Sequence, residues 1–449
     1  MRVSTATAFV IVSVLAPSLL ARQTWIVAED GSGDFTEIQP AVDAASDGDL
    51  ILVKDGTYEH VWVTKPLSIV GSGIERTVVR WGFDWPHIPM YVQYDQSGDC
   101  LIASLTTDSG GDTGLRVWTP AGRFIGWQLE FDPKGAGVEY RQCSLYEIET
   151  AWLNNCSVDP SGSGSVVEAP PSLSLGTIDP AFVSQCYFQA FPVWVYDTLD
   201  GGPGIAIGGD ITRAYIAETD ALGSQGGYGK EVDCITFWAA GDGGHGVEVL
   251  DTAEVHVFGR TSTIIQGGDG GIGEYPDPYC DQDPAGGDGG DGIHAESGSY
   301  VTYSGLFPRG GPGGPGDPPG APGLPVRGPV VDVGPLPTST MEGEGRPGSI
   351  ATFNFHGQPG DQLRIVYSTY PDVFDLPNFE GHPLIPSPEG AFGVVPAGAI
   401  PPSGTASFSF TIPSDVPPGQ PFYVQGILLG SHAPQLTNMS MLVTTPVWP

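Results

Sequence analysis

The sequence predicts an all-β chain: a parallel β-helix followed by a small C-terminal antiparallel β-sandwich. Short apolar–polar alternations recur between glycine turns, and each is too short to be stable alone. A long block returns at a fixed offset. Ala240-Gly241-Asp242-Gly243-Gly244-His245-Gly246-Val247 aligns with Gly286-Gly287-Asp288-Gly289-Gly290-Asp291-Gly292-Ile293, 46 residues on. Longer period-two segments then fill the end of the chain: Ala351 to Phe355, Leu363 to Tyr367, Ala406 to Ile412, Phe422 to Leu429 and Met439 to Val443.

Gly114-Leu115-Arg116-Val117 recurs as Gly137-Val138-Glu139-Tyr140, 23 residues on, so the offset of 46 reads as two coils of 23. That period places Val117 against Tyr140 and Arg116 against Glu139.

The N-terminal segment runs from Asp30-Gly31-Ser32-Gly33-Asp34-Phe35 through Ala41-Val42-Asp43-Ala44-Ala45. It continues with Asp47-Gly48-Asp49-Leu50-Ile51-Leu52-Val53, Gly56-Thr57-Tyr58 and Leu67-Ser68-Ile69-Val70-Gly71. A glycine turn, a short amphipathic helix and two strands in this order resemble the cap and first coil of the pectin-lyase-like right-handed parallel β-helix superfamily. That superfamily includes pectinesterases and pectate lyases. The resemblance implies the right-handed helix and spans residues 25–75. The catalytic strings of those enzymes do not occur further on, so no catalytic residue is carried over.

The expected boundaries are a signal peptide at 1–21, the β-helix at 22–306, a Gly/Pro-rich linker at 307–347 and the sandwich at 348–449. Arg2 followed by the apolar run Ala8 to Ala16 reads as a secretory signal cleaved after Ala21. No later run is long and apolar enough for a transmembrane helix. Secretion or a cell-surface location follows as an expectation.

Composition narrows the partners. Asp and Glu number 52 against 17 Lys and Arg, a net charge of -35. That field repels phosphate backbones and excludes nucleic acid as a partner. It also repels polyuronates unless calcium bridges the two. Glycine and proline, at 66 and 43, suit a turn-rich chain, and 10% aromatic residues argue against disorder. Cys100, Cys143, Cys156, Cys186 and Cys234 each precede an alternating strand. That setting favours stacked inward thiols over a disulfide framework that would also involve Cys280.

Several residue groups could carry chemistry. Gly286 to His294 fits the calcium-binding nonapeptide G-G-x-G-x-D-x-U-x, and related blocks surround it. The metal candidates are therefore Asp242, Asp269, Asp288 and Asp291, with calcium as the ion. Trp81, Asp84 and Trp85 in one irregular segment are the carbohydrate candidates, because sugar faces stack on indoles while carboxylates accept hydroxyl protons. Gly244-His245-Gly246 is similar to a polygalacturonase segment. The paired aspartates expected upstream of it are missing. Asp108, Asp112, Arg116, Arg123, Asp132 and Arg141 could converge as a lyase-type site.

The leading expectation is a non-catalytic exported protein that contacts polysaccharide or matrix. The alternatives are a polysaccharide lyase or glycoside hydrolase working in the groove of the helix, and a spacer that displays its terminal module.

Overall fold

The computed structural model describes residues 22–81, 88–109, 113–132, 143–158, 171–190, 199–209, 212–233, 236–273, 284–374, 376–386 and 392–448. Its core is a parallel β-helix, a sheet of 24 strands in which each coil pairs with the next. The helix Ile38–Ala44 covers the N-terminal end with Ile38, Ala41 and Val42 buried.

Each coil crosses three faces. The first holds Leu50–Val53, Ser68–Val70, Ala181–Ser184, Arg213–Ala217 and Glu254–Phe258. Ile51, Ile69, Ile102, Gly126 and Leu153 point inward from it in one continuous row, as Val183, Ile216 and Val257 do further on. The chain then bends sharply into the second face. Ser104, Gln128, Asn155, Gln185 and Glu218 occupy that corner with φ between 48° and 56°. Left-handed residues allow the abrupt bend, and short polar side chains tolerate them best. Asn155 and Gln185 each precede a buried cysteine, which explains the polar–Cys pairs in the sequence.

The cysteines stack as expected. Cys100, Cys143, Cys156 and Cys186 are buried and free, and the Cys156 N–H points to Cys186 Sγ at 3.4 Å. Cys234 and Cys280 lie outside the described residues. Burial pushes the Cys100 thiol up to about 12, so it behaves as a small apolar side chain.

The 23-residue period is corrected. Val117 pairs with Leu145 and Arg116 with Ser144, because coil length varies. Tyr140 and Glu139 lie outside the described residues. Arg123 reaches Asp99, 24 residues back, whereas His256 reaches Thr302 across 46. The offset of 46 is thus one enlarged coil.

Glycine runs make the enlargement. Between the second and third faces the chain leaves the coil as straight legs near 199–204, 223–229, 240–246, 267–273, 284–292, 309–316 and 318–325. Hydrogen bonds along them recur every third residue. Gly267, Gly270 and Gly273 donate to the carbonyls of Arg309, Pro312 and Pro315, and Gly286, Gly289 and Gly292 donate to Pro318, Ala321 and Leu324. Threefold spacing with no bonds inside a leg is the polyproline-II conformation.

The legs form two layers. Within a layer they run in parallel. Between layers Gly268 donates to Gly244 and Gly271 to Gly241, an antiparallel pairing. Glycine is required because the backbones touch: a Cβ on Gly244, Gly268, Gly290 or Gly311 would collide with a carbonyl oxygen of the preceding leg in the same layer. In the last leg of the first layer Pro319, Pro322 and Pro325 replace the donor positions Gly286, Gly289 and Gly292.

Residues 307–347 are therefore not a linker. They supply two legs, two further strands of the helix at Val326–Arg327 and Val330–Asp332, and the first sandwich strand Thr338–Glu342. The sandwich itself has a three-stranded sheet and a six-stranded sheet, in which antiparallel pairing predominates. It folds back onto the first face of the helix. Leu50, Leu101, Ile125, Trp152, Phe182 and Tyr215 point outward there, and they share one apolar cluster with Met341, Phe353, Tyr423 and Met441. Trp152, Phe182 and Tyr215 stack at 5.9 and 5.2 Å between ring centroids. Arg123 Nη1 and Nη2 donate to Pro371 O and the Tyr370 hydroxyl, and Asn438 Nδ2 donates to Ser184 Oγ.

Burial keeps two histidines of the sandwich as neutral rings. His382 is wedged against Tyr215 and Phe258, and neither ring nitrogen has a partner. Burial, with His256 nearby, holds it down at about 3, and burial holds His356 at about 4. Both imidazoles are neutral when folded but protonate near 6.5 when unfolded. Their stabilisation is complete above that value and is lost as pH falls toward 3. Urea midpoints are expected to drop between pH 7 and pH 4, with a shallower drop in His382→Phe. An equal slope in the variant would remove His382 from the account.

Gly290→Ala is expected to lower stability by at least ~1–3 kcal/mol, since facing backbone rather than a movable side chain blocks the new methyl. Thermal unfolding checks it, and an unchanged midpoint would contradict the close packing of the legs.

Candidate functional site

The sandwich covers the first face and not the third, where Trp62 and Arg327 are exposed and Ser144 is buried. One outward row runs along it through paired positions: Trp62, Tyr91, Arg116, Ser144, Ser174, Ala206, Glu248, His294 and Arg327. Alternation puts these side chains outward because their neighbours, such as Val61, Val63, Leu115 and Val117, fill the interior. At about 4.8 Å per strand the row is ~38 Å long. The glycine legs leave the coil at the corner before this face and stand beside it.

The N-terminal part of the row is aromatic. Trp62 is 49% exposed, and its ring lies 5.6 Å from Tyr91. The Arg116 guanidinium lies 6.0 Å from the Tyr146 ring centroid. Burial, then a hydrogen bond with Tyr91, push the Tyr146 phenol up to about 12. Trp118 Nε1 donates to Glu147 Oε2 at 2.6 Å. This cluster was not singled out as a site in the sequence, because its members come from strands in successive coils. The strand alternation of Val61-Trp62-Val63 is the signal that exposes Trp62.

The far part of the row is ionic. His294 Nδ1 lies 3.0 Å from Asp291 Oδ2, which also takes Arg327 Nε at 2.6 Å. Asp291 Oδ1 accepts the Leu324 N–H, and the Asp291 N–H donates to His245 Nδ1. The two imidazoles stack at 4.3 Å. Burial, then the neighbouring His294, hold His245 down at about 4. Hydrogen bonds from Leu324 and His294 and the Arg327 charge outweigh burial and hold the Asp291 carboxyl below its usual range.

Ligand atoms of His245, Asp291 and His294 all lie within 4.8 Å of one another, so the trio could hold a metal ion. Both Nδ1 atoms are already engaged and Arg327 neutralises the carboxylate. A cation would have to displace Arg327 first.

The metal candidates from the sequence are not gathered into one place. Asp242 and Asp288 are neighbours in one layer, with Asp200 before them. Each carboxylate serves the next leg: Asp200 Oδ1 accepts the Asp242 N–H, Asp242 Oδ1 that of Asp288, and Asp288 Oδ1 that of Ala321. Asp291 lies one turn further along its leg. Asp269 belongs to the other layer, where its carbonyl accepts from Gly226. Gly286 to Gly292 forms a straight leg rather than a turn.

Of the carbohydrate candidates, Trp81 begins the segment leading to the open face, and its N–H donates to the Asp108 carbonyl. Asp84 and Trp85 lie outside the described residues. The lyase-type cluster does not converge. Asp108 and Asp132 are paired neighbours, Arg123 is bound to Asp99 under the sandwich, and Arg116 stands on the open row. Asp112 and Arg141 lie outside the described residues.

No family model and no curated protein matches the chain. Among solved structures, the chain is similar to the A-module of mannuronan C-5 epimerase AlgE6 from Azotobacter vinelandii. Identity is 12% and the TM-score 0.19, over 67% of this chain and 95% of that one. At that score the likeness carries no functional argument.

Burial, with the charges of Asp200 and Asp288, outweighs the Asp288 backbone bond and leaves the Asp242 carboxyl above its usual range. Asp242→Asn keeps the acceptor for the Asp288 N–H and removes that repulsion. Its melting midpoint without added ions is expected to match or exceed that of the unsubstituted protein. A clear fall would show that the carboxylate charge strengthens its bond to the Asp288 N–H by more than the repulsion costs.

Proposed function

We propose that the protein is exported and contacts polysaccharide along the open outward row of the β-helix. The observation that carries this reading is the Trp62–Tyr91 pair on an extended face that the sandwich leaves free. Sugar rings stack on such aromatic faces, and the half-buried hydroxyl of Ser174 continues the row with a polar contact. The extended row suits a polymer better than a small molecule. The sandwich acts as a structural cover for the opposite face. Calcium is retained as part of the proposal only for the Asp200–Asp242–Asp288 ladder, where a cation would relieve like charge at strand spacing.

A second reading, a lyase or hydrolase, draws on the grouping of Glu248, Asp291, His294 and Arg327 on neighbouring coils. It predicts the release of unsaturated or reducing ends from a polysaccharide panel, whereas the binding reading predicts retention with no new ends.

Trp62→Ala is expected to weaken retention on the best-bound polysaccharide at least tenfold while leaving the melting midpoint near its original value, because the side chain is half exposed. Affinity electrophoresis checks this. Equal mobility of the two proteins on every polysaccharide would remove the row as the contact surface.

A further inference from the structure

Arg116 stands apart from most arginines of this molecule. Arg76, Arg80, Arg123, Arg213, Arg260, Arg327 and Arg346 each meet a carboxylate. Acidic residues outnumber basic ones threefold, 52 to 17, so a cation is readily paired. Arg116 makes no ion pair among the described residues, and its Nε is enclosed without a hydrogen-bond partner. Its immediate setting is aromatic: Tyr91 is its neighbour on the preceding coil, and the Tyr146 ring lies 6.0 Å away. The nearby carboxylate of Glu147 is committed to Trp118 Nε1.

We infer that Arg116 is the subsite for an anionic substituent on a sugar of the bound polysaccharide, a carboxylate or a sulfate. This inference rests on the proposed contact along the open row. A guanidinium presents a planar fork of donors that matches such oxyanions in a bidentate way. Tyr91 and Trp62, one and two coils away, supply the faces on which the sugar rings stack. The overall charge of -35 opposes polyanions at a distance. That repulsion is screened beyond about 8 Å at physiological salt, whereas a seated ion pair is not. The row therefore selects chains that carry the charge at the sugar in contact with Arg116.

The test is affinity electrophoresis at about 0.15 M salt on three gels: polygalacturonate, dextran sulfate and uncharged dextran. The unsubstituted protein is expected to be retarded by at least one acidic chain more than by dextran. The gel that retards it distinguishes a carboxylate from a sulfate. Arg116→Gln should weaken that retention at least tenfold, and Arg116→Lys should weaken it less. Neither should shift any retention on dextran. Should Arg116→Gln fail to fold, Arg116→Lys alone carries the test, and undiminished retention of it on the acidic chain overturns the fork. If Arg116→Gln binds acidic chains as before while Trp62→Ala loses them, the Arg116 assignment fails and the row survives. If no polysaccharide retards the protein, the row itself fails.

Discussion

Every coil of this protein must satisfy its peptide groups on the coil beside it. The strands do so through parallel pairing, and the glycine legs do so through two N–H groups in three, one donated within a layer and one between layers. An unpaired buried peptide group carries a desolvation penalty comparable to a lost hydrogen bond, so the two kinds of backbone have to advance at one common spacing. The side chains follow from that requirement. Glycine lines the contacts between legs because nothing larger fits, and aspartate appears at the outward position because its carboxylate accepts the N–H that no leg accepts.

Faces of the solenoid differ by what covers them. Outward apolar residues on the first face are matched by the sandwich, which joins Trp127, Trp152 and Phe182 to its own core. Outward residues on the third face are not covered by the sandwich, and they range from exposed Trp62 and Arg327 to buried Ser144. The same alternation thus yields a glued face and a free one. The difference lies in whether Leu101 and Phe182, or Arg116 and Ser174, occupy the outward positions. A surface that runs across many coils is assembled from single residues far apart in the chain.

Much of the architecture was legible. The alternation around Leu50-Ile51-Leu52-Val53 and the match between Val247 and Ile293 both fixed on real coils. The stacked thiols were legible because cysteine after a polar bend has few other uses. The period was misread because coil length is free to vary at one corner, so Gly114 and Gly137 gave a spacing that pairing does not follow. The glycine legs were read as calcium turns and as a linker for a physical reason. Gly-Gly-Asp repeats satisfy a local turn pattern, and only the facing leg shows that the same repeat packs straight. Arg116 entered a predicted cluster with Arg123 and Asp132, but coil geometry sends them to different faces. Trp62 escaped notice because its aromatic neighbours come from other coils.

The prolines at 319, 322 and 325 blunt one edge of the glycine bundle. A stack of backbones with donors facing outward at its last layer is a template, on which another chain can add as in fibre growth. Proline offers no N–H to such a visitor. The final leg of that layer can accept from the leg before it but hands nothing onward from these three positions, so this edge offers a visiting chain no ladder there.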